Sequence, residues 1–205
     1  MPSAENCFSA FLYRFRGYIL GAFAIALVLV PPSRFPNGIR IDGCVGGVLL
    51  AVFLYVVSAL LRVRARQFIG EHTRGKVHAA DTLVTEGPYA RLRHPLYVSN
   101  TGFACGVVFF HLGVSLWVLP FIILIILFEI TLARIEDRFL ERKFGDAWRD
   151  WAVKTPAFVP RLDKSSVVLP QRTVWQAFFA DSSTWLWLLF CNLLLVLLKV
   201  TDFYV

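Results

Sequence analysis

Five long apolar runs constrain this chain more than any other feature of its sequence. They cover residues 16–31, 44–62, 96–112, 114–134 and 184–200. An α-helix needs about 20 apolar residues to cross the hydrocarbon core of a bilayer. Charged residues make up only 17% of the chain, which is low for a water-soluble domain. The sequence therefore predicts an all-α integral membrane protein, with about five transmembrane helices in a single membrane domain over residues 1–205.

The packing of these helices can also be anticipated from the sequence. Only the region of His111, Leu112 and Gly113 separates the third run from the fourth, which predicts a tight antiparallel hairpin. Two small residues four positions apart allow close approach of helices. Such pairs occur at Gly17/Gly21, Gly43/Gly47 and Gly102/Gly106.

The segment before the first run has a different character. Across residues 4–16, the aromatic and aliphatic side chains Phe8, Phe11, Leu12 and Phe15 recur at helical spacing. This pattern predicts a short amphipathic helix in the membrane interface. The first run itself is expected to stop at Pro31-Pro32.

The distribution of basic residues predicts the orientation. Seven Lys and Arg residues lie between Arg62 and Pro95, and nine lie between Arg134 and Ser183. Because cytoplasmic loops carry an excess of Lys and Arg, both segments and the N-terminus are expected in the cytoplasm. Five crossings would place the C-terminal Val205 on the opposite side. The net charge of +7 is thus assigned to topology rather than to nucleic acid, for which no partner role is expected.

The polar segment after the fourth run is expected to begin as a helix. The helical pattern continues through Phe144, where Gly145 would end it, and Asp146 would cap a short helix that holds Trp148 and Trp151. Pro156 and Pro160 then break regular structure. Residues 174–179 present a second interfacial aromatic face.

Two carboxylates are candidates for chemistry. Glu129 lies deep in the fourth run, where an ionisable residue is costly and usually faces a bundle interior or a water-filled cavity. Glu136 follows seven residues later, on the same helical face. The two side chains would form a pocket wall, or Glu129 would make a helix–helix hydrogen bond while Glu136 remained solvated. Spacing alone does not choose between these interpretations.

The stretch from Leu83 to Tyr97 is basic and rich in turn residues, and it directly precedes an apolar run. His94 stands in it between Arg93 and Pro95. No second histidine lies at metal-binding spacing, since His72 and His78 are six residues apart, so no metal site is predicted. The four cysteines are far apart and are expected to be buried thiols. A glycine-rich phosphate loop and a Ser or Cys nucleophile motif are not found.

Two separated stretches resemble a known family. The first is Gly87-Pro88-Tyr89 followed by Arg93-His94-Pro95-Leu96-Tyr97. The second contains Glu136-Asp137, Leu140, Phe144-Gly145, Trp148, Trp151 and the segment from Pro156 to Pro160. Together, over residues 78–162, they resemble the isoprenylcysteine carboxyl methyltransferase and phospholipid methyltransferase superfamily. The chain differs from that family's pattern by Ser99 in place of Gly, by a Glu-Asp acidic pair and by Trp in place of Tyr.

The resemblance implies a membrane methyltransferase that uses S-adenosylmethionine at the cytoplasmic face. The loop before the hairpin would line one side of the cofactor pocket, through Gly87, Tyr89, Arg93, His94, Pro95 and Tyr97. The helix after the hairpin would line the other side through Glu136 and Asp137, with Arg134 nearby. Arg93 and His94 are expected to hold the cofactor carboxylate, and Glu136 to accept hydrogen bonds from its ribose or amine.

The acceptor is expected to be a lipid-like or prenylated small molecule that enters from the bilayer. A carboxylate acceptor would be oriented by Arg134, whereas an amine acceptor would need His94 or Glu129 as a base. The fifth run would complete a substrate groove or form an oligomer contact. Two other functions remain open: a membrane oxidoreductase similar to sterol reductases, and a non-catalytic membrane protein such as a small transporter.

Overall fold

The computed structural model describes residues 4–29, 45–69, 82–162 and 168–200. Within these ranges the chain forms seven α-helices and one 3₁₀ helix and contains no β-strand, which confirms the all-α class. The 3₁₀ helix covers Gly87–Ala90. The α-helices are α1 (Ala4–Leu29), α2 (Val45–Arg66), α3 (Pro95–Leu112), α4 (Val118–Phe144), α5 (Asp146–Lys154), α6 (Val174–Phe179) and α7 (Ser182–Val200).

Two of the described helices, α2 and α4, are long and apolar enough to cross a membrane. Both expose large apolar side chains on their outer faces, among them Val52, Phe53, Leu60, Leu119, Ile123 and Leu127. Extended exposed apolar surface of this kind marks a membrane or protein contact. The apolar stretches of α1 (Phe15–Leu27) and α7 (Ser182–Leu198) are shorter. The structure thus supports a membrane protein, and the number of crossings remains a prediction.

Three boundaries differ from the sequence prediction. Residues 4–16 do not form a separate helix, because α1 continues without a break from Ala4 to Leu29. The α4 helix begins at Val118 rather than at residue 114, so the hairpin connection is longer than expected. Gly145 does end α4, with a φ of 55°, but Asp146 is the first residue of α5 and not its cap. Its carboxylate instead accepts a hydrogen bond from Arg149.

Small residues allow α3 to lie close against α2, and α3 also packs on α4. A side chain at Gly102 would collide with Ser58, and one at Gly106 would collide with the ring of Tyr55. Both predicted contact positions on α3 are therefore confirmed. Gly21 faces Trp187 of α7, and Gly47 faces the backbone of Phe109 and Gly113, so these two glycines also lie at contacts.

Gly17 differs from the other described glycines of these pairs, because nothing lies within 4 Å of the position where its side chain would begin. It is not at a helix contact, and its predicted packing role is wrong. Its neighbour in the pattern, Gly21, meets α7 one turn later.

The C-terminal part of the chain is attached to the end of α2. The backbone oxygen of Gln67 accepts hydrogen bonds from the amides of Gln171 and Arg172, at 2.9 and 3.1 Å. The Gln67 side chain donates back to the Arg172 oxygen at 3.2 Å. These bonds place α6 against α2 and let α7 return along α1 and α3.

Several sequence predictions fall outside the described residues. They concern the helix stop at Pro31-Pro32, the partner glycine Gly43, the spacing of His72 and His78, and the location of Val205.

Candidate functional site

The two stretches that carry the family resemblance are in contact. Asp137 of α4 bridges them, because its Oδ2 accepts a hydrogen bond from Arg93 Nη1 at 3.1 Å and its Oδ1 lies 3.0 Å from His94 Nε2. Arg93 and His94 immediately precede α3, and Asp137 lies in the polar half of α4. The α3–α4 hairpin brings these distant positions together, as the sequence predicted.

The proline-containing tail after α5 supports the same loop from the outside. The amides of Arg93 and His94 donate to the carbonyl oxygens of Pro156 and Ala157, at 2.9 and 3.2 Å. Phe158 stacks on the His94 ring, with ring centres 5.7 Å apart. Thr155, the residue before Pro156, has the extended backbone that a following proline favours. The ring of His94 is therefore fixed on both sides.

The Gly87-Pro88-Tyr89 turn is held against the end of α2. Gly87 adopts a φ of 59°, and the ring of Phe68 occupies the space that a side chain there would need. Only glycine satisfies both conditions without strain. Trp151 of α5 donates from Nε1 to the Tyr89 carbonyl oxygen at 3.1 Å. Gly87 therefore allows the tight turn, and the turn positions Tyr89 at the end of α2.

A polar cavity of about 170 Å³ lies where these parts meet. Six of the sequence-predicted cofactor residues line it: Tyr89, Arg93, His94, Pro95, Tyr97 and Glu136. Asp137 and Gly87 support lining residues without lining the cavity themselves. Arg134 is exposed on α4 and also does not line it.

Two hydrogen-bond donors of lining residues have no partner among the residues that the structure describes. Tyr89 Oη and Arg93 Nε are buried, and neither makes a hydrogen bond within the described part of the chain. Burial raises the pKa of Tyr89; nearby Arg66 opposes this effect and Glu136 adds to it, so the hydroxyl stays protonated at neutral pH. Buried donors are rarely left unsatisfied. Both groups are therefore suited to a ligand that carries oxygen acceptors.

Three further arginines line the cavity from helices that the sequence interpretation had not connected to it. They are Arg16 of α1 and Arg62 and Arg66 of α2. Arg62 and Arg66 are one helical turn apart at the end of an apolar helix, which was interpreted as a signal of topology. Asp181, between α6 and α7, accepts from the Nε of Arg62 and the Nε of Arg66, each at 2.8 Å. This long-range partner has no signature in the sequence.

A second cavity, of about 120 Å³ and almost wholly apolar, lies between α1, α3, α4 and α7. Asn100 lines both cavities, so they adjoin at this residue. Arg62 Nη1 donates to Asn100 Oδ1 at 2.7 Å, and Arg62 Nη2 donates to Thr184 of α7 at 3.1 Å. A polar head group and an apolar group of one ligand could therefore occupy neighbouring spaces.

Glu129 is buried beside this junction, with 2% of its surface exposed. Neither carboxylate oxygen has a partner with hydrogen-bond geometry among the described residues, although Asn100, Arg62 and Arg16 lie close enough to act on it. The predicted helix–helix contact of Glu129 is thus with Asn100 of α3, which stabilises its carboxylate although the full geometry of a hydrogen bond is not met. Glu129 does not line either cavity, whereas Glu136, two turns along, lines the polar one.

Comparison with known proteins places this site in a family context. The family model described as phospholipid methyltransferase matches residues 47–147, which include nearly all of α2, the loop before α3, and the whole of α3 and α4. The chain is similar to the cobalt-zinc-cadmium resistance protein CzcN of Cupriavidus metallidurans, with 31% identity over 153 residues, 74% of this chain and 67% of that protein.

A second similar protein is the nickel-cobalt-cadmium resistance protein NccN of Alcaligenes xylosoxydans xylosoxydans. The two chains are 38% identical over 80 residues, which cover 39% of this chain and 37% of that protein. No solved structure matches the chain significantly. Within the described residues, no group of three or more His, Cys, Asp or Glu side chains could hold a metal ion.

Proposed function

Because the chain belongs to the phospholipid methyltransferase family, within the superfamily that also contains the isoprenylcysteine carboxyl methyltransferases, we propose that it transfers a methyl group from S-adenosylmethionine to a lipophilic acceptor. Family membership supports a membrane methyltransferase in general. The use of S-adenosylmethionine, the class of acceptor and the multi-pass topology are our proposals.

The observation that carries the proposal is the polar cavity at the junction of the two motif stretches. Its walls offer unsatisfied donors, Tyr89 Oη and Arg93 Nε, together with the Glu136 carboxylate. S-adenosylmethionine carries a carboxylate and ribose hydroxyls that can accept from the donors, and an amine and hydroxyls that can donate to Glu136. The residues present therefore fit this cofactor.

When bound, S-adenosylmethionine supplies an activated methyl group on a positively charged sulfur. The residues of this chain would bind and orient it. Tyr89 and Arg93 would hold its oxygen atoms, and Glu136 would hold its donors. Asp137 would act indirectly by fixing Arg93 and His94. The main catalytic contribution would be to align the methyl group with the acceptor atom.

The apolar cavity supports a lipophilic acceptor. It adjoins the polar cavity at Asn100, and apolar side chains from four helices line it. An engineered apolar cavity of about 150 Å³ in another protein holds a benzene-sized group, so this cavity would hold a small ring or a short branched chain. The acceptor's reactive group would then lie near Asn100, at the edge of the polar cavity.

The reactive group of the acceptor is a carboxylate or an amine. For a carboxylate, Arg62 and Arg66 are better placed than Arg134, because they line the cavity and Arg134 does not. For an amine, His94 lines the cavity and is the better placed base, while Glu129 lies behind the lining. The names of the relatives concern metal resistance and do not indicate which molecule receives the methyl group.

Methyl transfer to defined lipids tests the proposal. Purified protein would be incubated with S-adenosylmethionine labelled in its methyl group and with either a prenylcysteine or phosphatidylethanolamine. We expect label in the lipid phase with one acceptor, and a loss of at least about 100-fold in Glu136→Ala. The exposed acidic residue Asp150 provides the matched control, Asp150→Ala, which should retain activity. Transfer that Glu136→Ala leaves unchanged would place the cofactor elsewhere.

A further inference from the structure

The link between the C-terminal segment and α2 has a consequence for ligand binding. Asp181 has only 1% of its surface exposed, and its single oxygen Oδ2 accepts from both Arg62 Nε and Arg66 Nε. The guanidinium groups of Arg62 and Arg66 thus share the buried carboxylate of Asp181. Asp181 lies beyond the matched residues 47–147, so the resemblance of the motif stretches gives it no role.

The two arginines use their remaining donors differently. Arg62 directs Nη1 to Asn100 and Nη2 to Thr184, so its fork joins α2, α3 and α7. Arg66 bonds Asp181 through Nε, and its terminal nitrogens Nη1 and Nη2 make no hydrogen bond among the described residues. Arg66 also lines the polar cavity, near Tyr89. Its two terminal nitrogens are therefore donors available to a ligand there.

The charge of the cavity wall favours an anion at this position. Among the described lining residues there are four arginines and one glutamate: Arg16, Arg62, Arg66, Arg93 and Glu136. Asp181 and Asp137 lie behind them and pair with three of these arginines. A buried guanidinium with free terminal nitrogens binds a carboxylate or phosphate through two parallel hydrogen bonds.

We propose that Arg66 binds an anionic group of the ligand, a carboxylate or phosphate, and that Asp181 is the positioning residue that aims Arg66 into the cavity. The C-terminal segment then completes the active site rather than serving only as an additional span. This inference rests on the proposed methyltransferase function for its source of the anion. The source is the methionine carboxylate of S-adenosylmethionine or the anionic group of the acceptor.

The first test measures anion binding without any enzymatic activity. Full-length protein in detergent is unfolded by heat in millimolar sulfate or in chloride of the same ionic strength. Sulfate should raise the melting temperature of the wild type more than that of Arg66→Gln or Asp181→Asn. The first variant lacks the guanidinium group, and the second lacks the carboxylate that orients it. The matched control is Arg64→Gln, which changes an exposed arginine on the same helix and should respond to sulfate like the wild type.

This comparison separates specific binding from the general stabilising effect of sulfate, which acts on all variants equally. An equal sulfate response in wild type, Arg66→Gln and Asp181→Asn overturns the inference. If Arg66→Gln does not fold, Arg66→Lys takes its place, since lysine keeps the charge but cannot form the two-pronged contact. These outcomes do not depend on whether the protein uses S-adenosylmethionine.

The second test identifies the source of the anion. An increase of about 10- to 100-fold in the dissociation constant for S-adenosylmethionine in Arg66→Gln would assign the cofactor carboxylate. An unchanged dissociation constant with a raised KM for a prenylcysteine or phosphatidylethanolamine, at constant kcat, would assign the acceptor. Asp181→Asn should change the same parameter in the same direction. If both parameters are unchanged in folded Arg66→Gln, the inference is wrong although the proposed function stands.

Discussion

At the level of single side chains, Tyr89 shows how a site can be recognised without its ligand. Its hydroxyl is buried and has no partner among the described residues, which is costly for the ligand-free protein. Burial also raises its pKa, so ionisation does not relieve the cost. A buried hydroxyl without a partner is most simply explained by a ligand that forms a hydrogen bond with it.

The substitution Tyr89→Phe should affect the ligand-free protein and the ligand-bound protein differently. We expect the melting temperature of the ligand-free protein to stay constant or rise, because an unsatisfied polar group is removed without a change of shape. Affinity for S-adenosylmethionine should fall about 10-fold, the effect of one lost hydrogen bond. Calorimetry and equilibrium binding measure the two quantities. A lower melting temperature with unchanged affinity would assign Tyr89 to folding alone.

Asp137 is expected to act through its neighbours. In Asp137→Asn, the charged partner of Arg93 and His94 is lost, and both side chains gain freedom. We expect affinity for S-adenosylmethionine to fall about 10- to 100-fold, as for a charge-assisted hydrogen bond. Equilibrium binding of the labelled cofactor would report this change. The exposed Asp150 supplies the matched variant Asp150→Asn, and equal affinities in the two variants would contradict the role of Asp137.

At the level of helices, the contact between α2 and α3 depends on the absence of side chains at two glycines of α3. Gly106 faces the Tyr55 ring, and the Tyr55 hydroxyl donates to Asn192 of α7 at 3.0 Å. The ring is therefore held in place and cannot easily move aside. This arrangement ties the packing of three helices to one small residue.

The pair Gly106→Ala and Gly17→Ala tests that dependence with one chemical change at two positions. Alanine at residue 106 should lower the melting temperature in detergent, because an added methyl group in a packed contact costs about 1–3 kcal/mol. Alanine at residue 17, where the space is open, should leave it unchanged or raise it by the helix preference of about 0.5–1 kcal/mol. Equal shifts in both variants would contradict the observed packing.

The sequence predicted some of these features better than others, for physical reasons. Helices such as α2 and α3 were predicted because an apolar run is visible in the local sequence. The end of α4 was predicted for the same reason, since Gly145 breaks the helix at its own position. The join between residues 4–16 and the first run was missed because amphipathic and apolar segments can continue in one helix. Arg62 and Arg66 were interpreted as topology signals, since a buried arginine and an interfacial one look alike until Asp181 is placed beside them.

The same distinction explains how far the site itself could be anticipated. Local motifs predicted that Tyr89, Arg93, His94 and Glu136 share one pocket, and all four line one cavity, while their role in cofactor binding stays a prediction. Arg134 was included because it precedes the acidic pair in sequence. On a helix, however, two positions separate it from Glu136, and residues two apart point in different directions. Arg134 consequently faces solvent while Glu136 faces the cavity.

At the level of the whole molecule, the distribution of charge predicts where the parts lie in the membrane. The polar cavity is built from the basic segments, which the positive-inside rule assigns to the cytoplasm. A reporter enzyme that is active only outside the cytoplasm should therefore work when fused after Val205 and fail when inserted between residues 70 and 81. Activity at both positions, or at neither, would contradict five crossings with a cytoplasmic cavity.

Equilibrium binding of radiolabelled S-adenosylmethionine to the full-length protein in detergent tests the cofactor site most directly. We predict saturable binding at one site per chain. It should be weakened at least about 10-fold by Glu136→Ala and by His94→Ala, which alter lining residues from the two motif stretches, and be unaffected by Asp150→Ala. An absence of saturable binding, or binding that Glu136→Ala and His94→Ala leave unchanged, would contradict the assignment of this cavity to the cofactor.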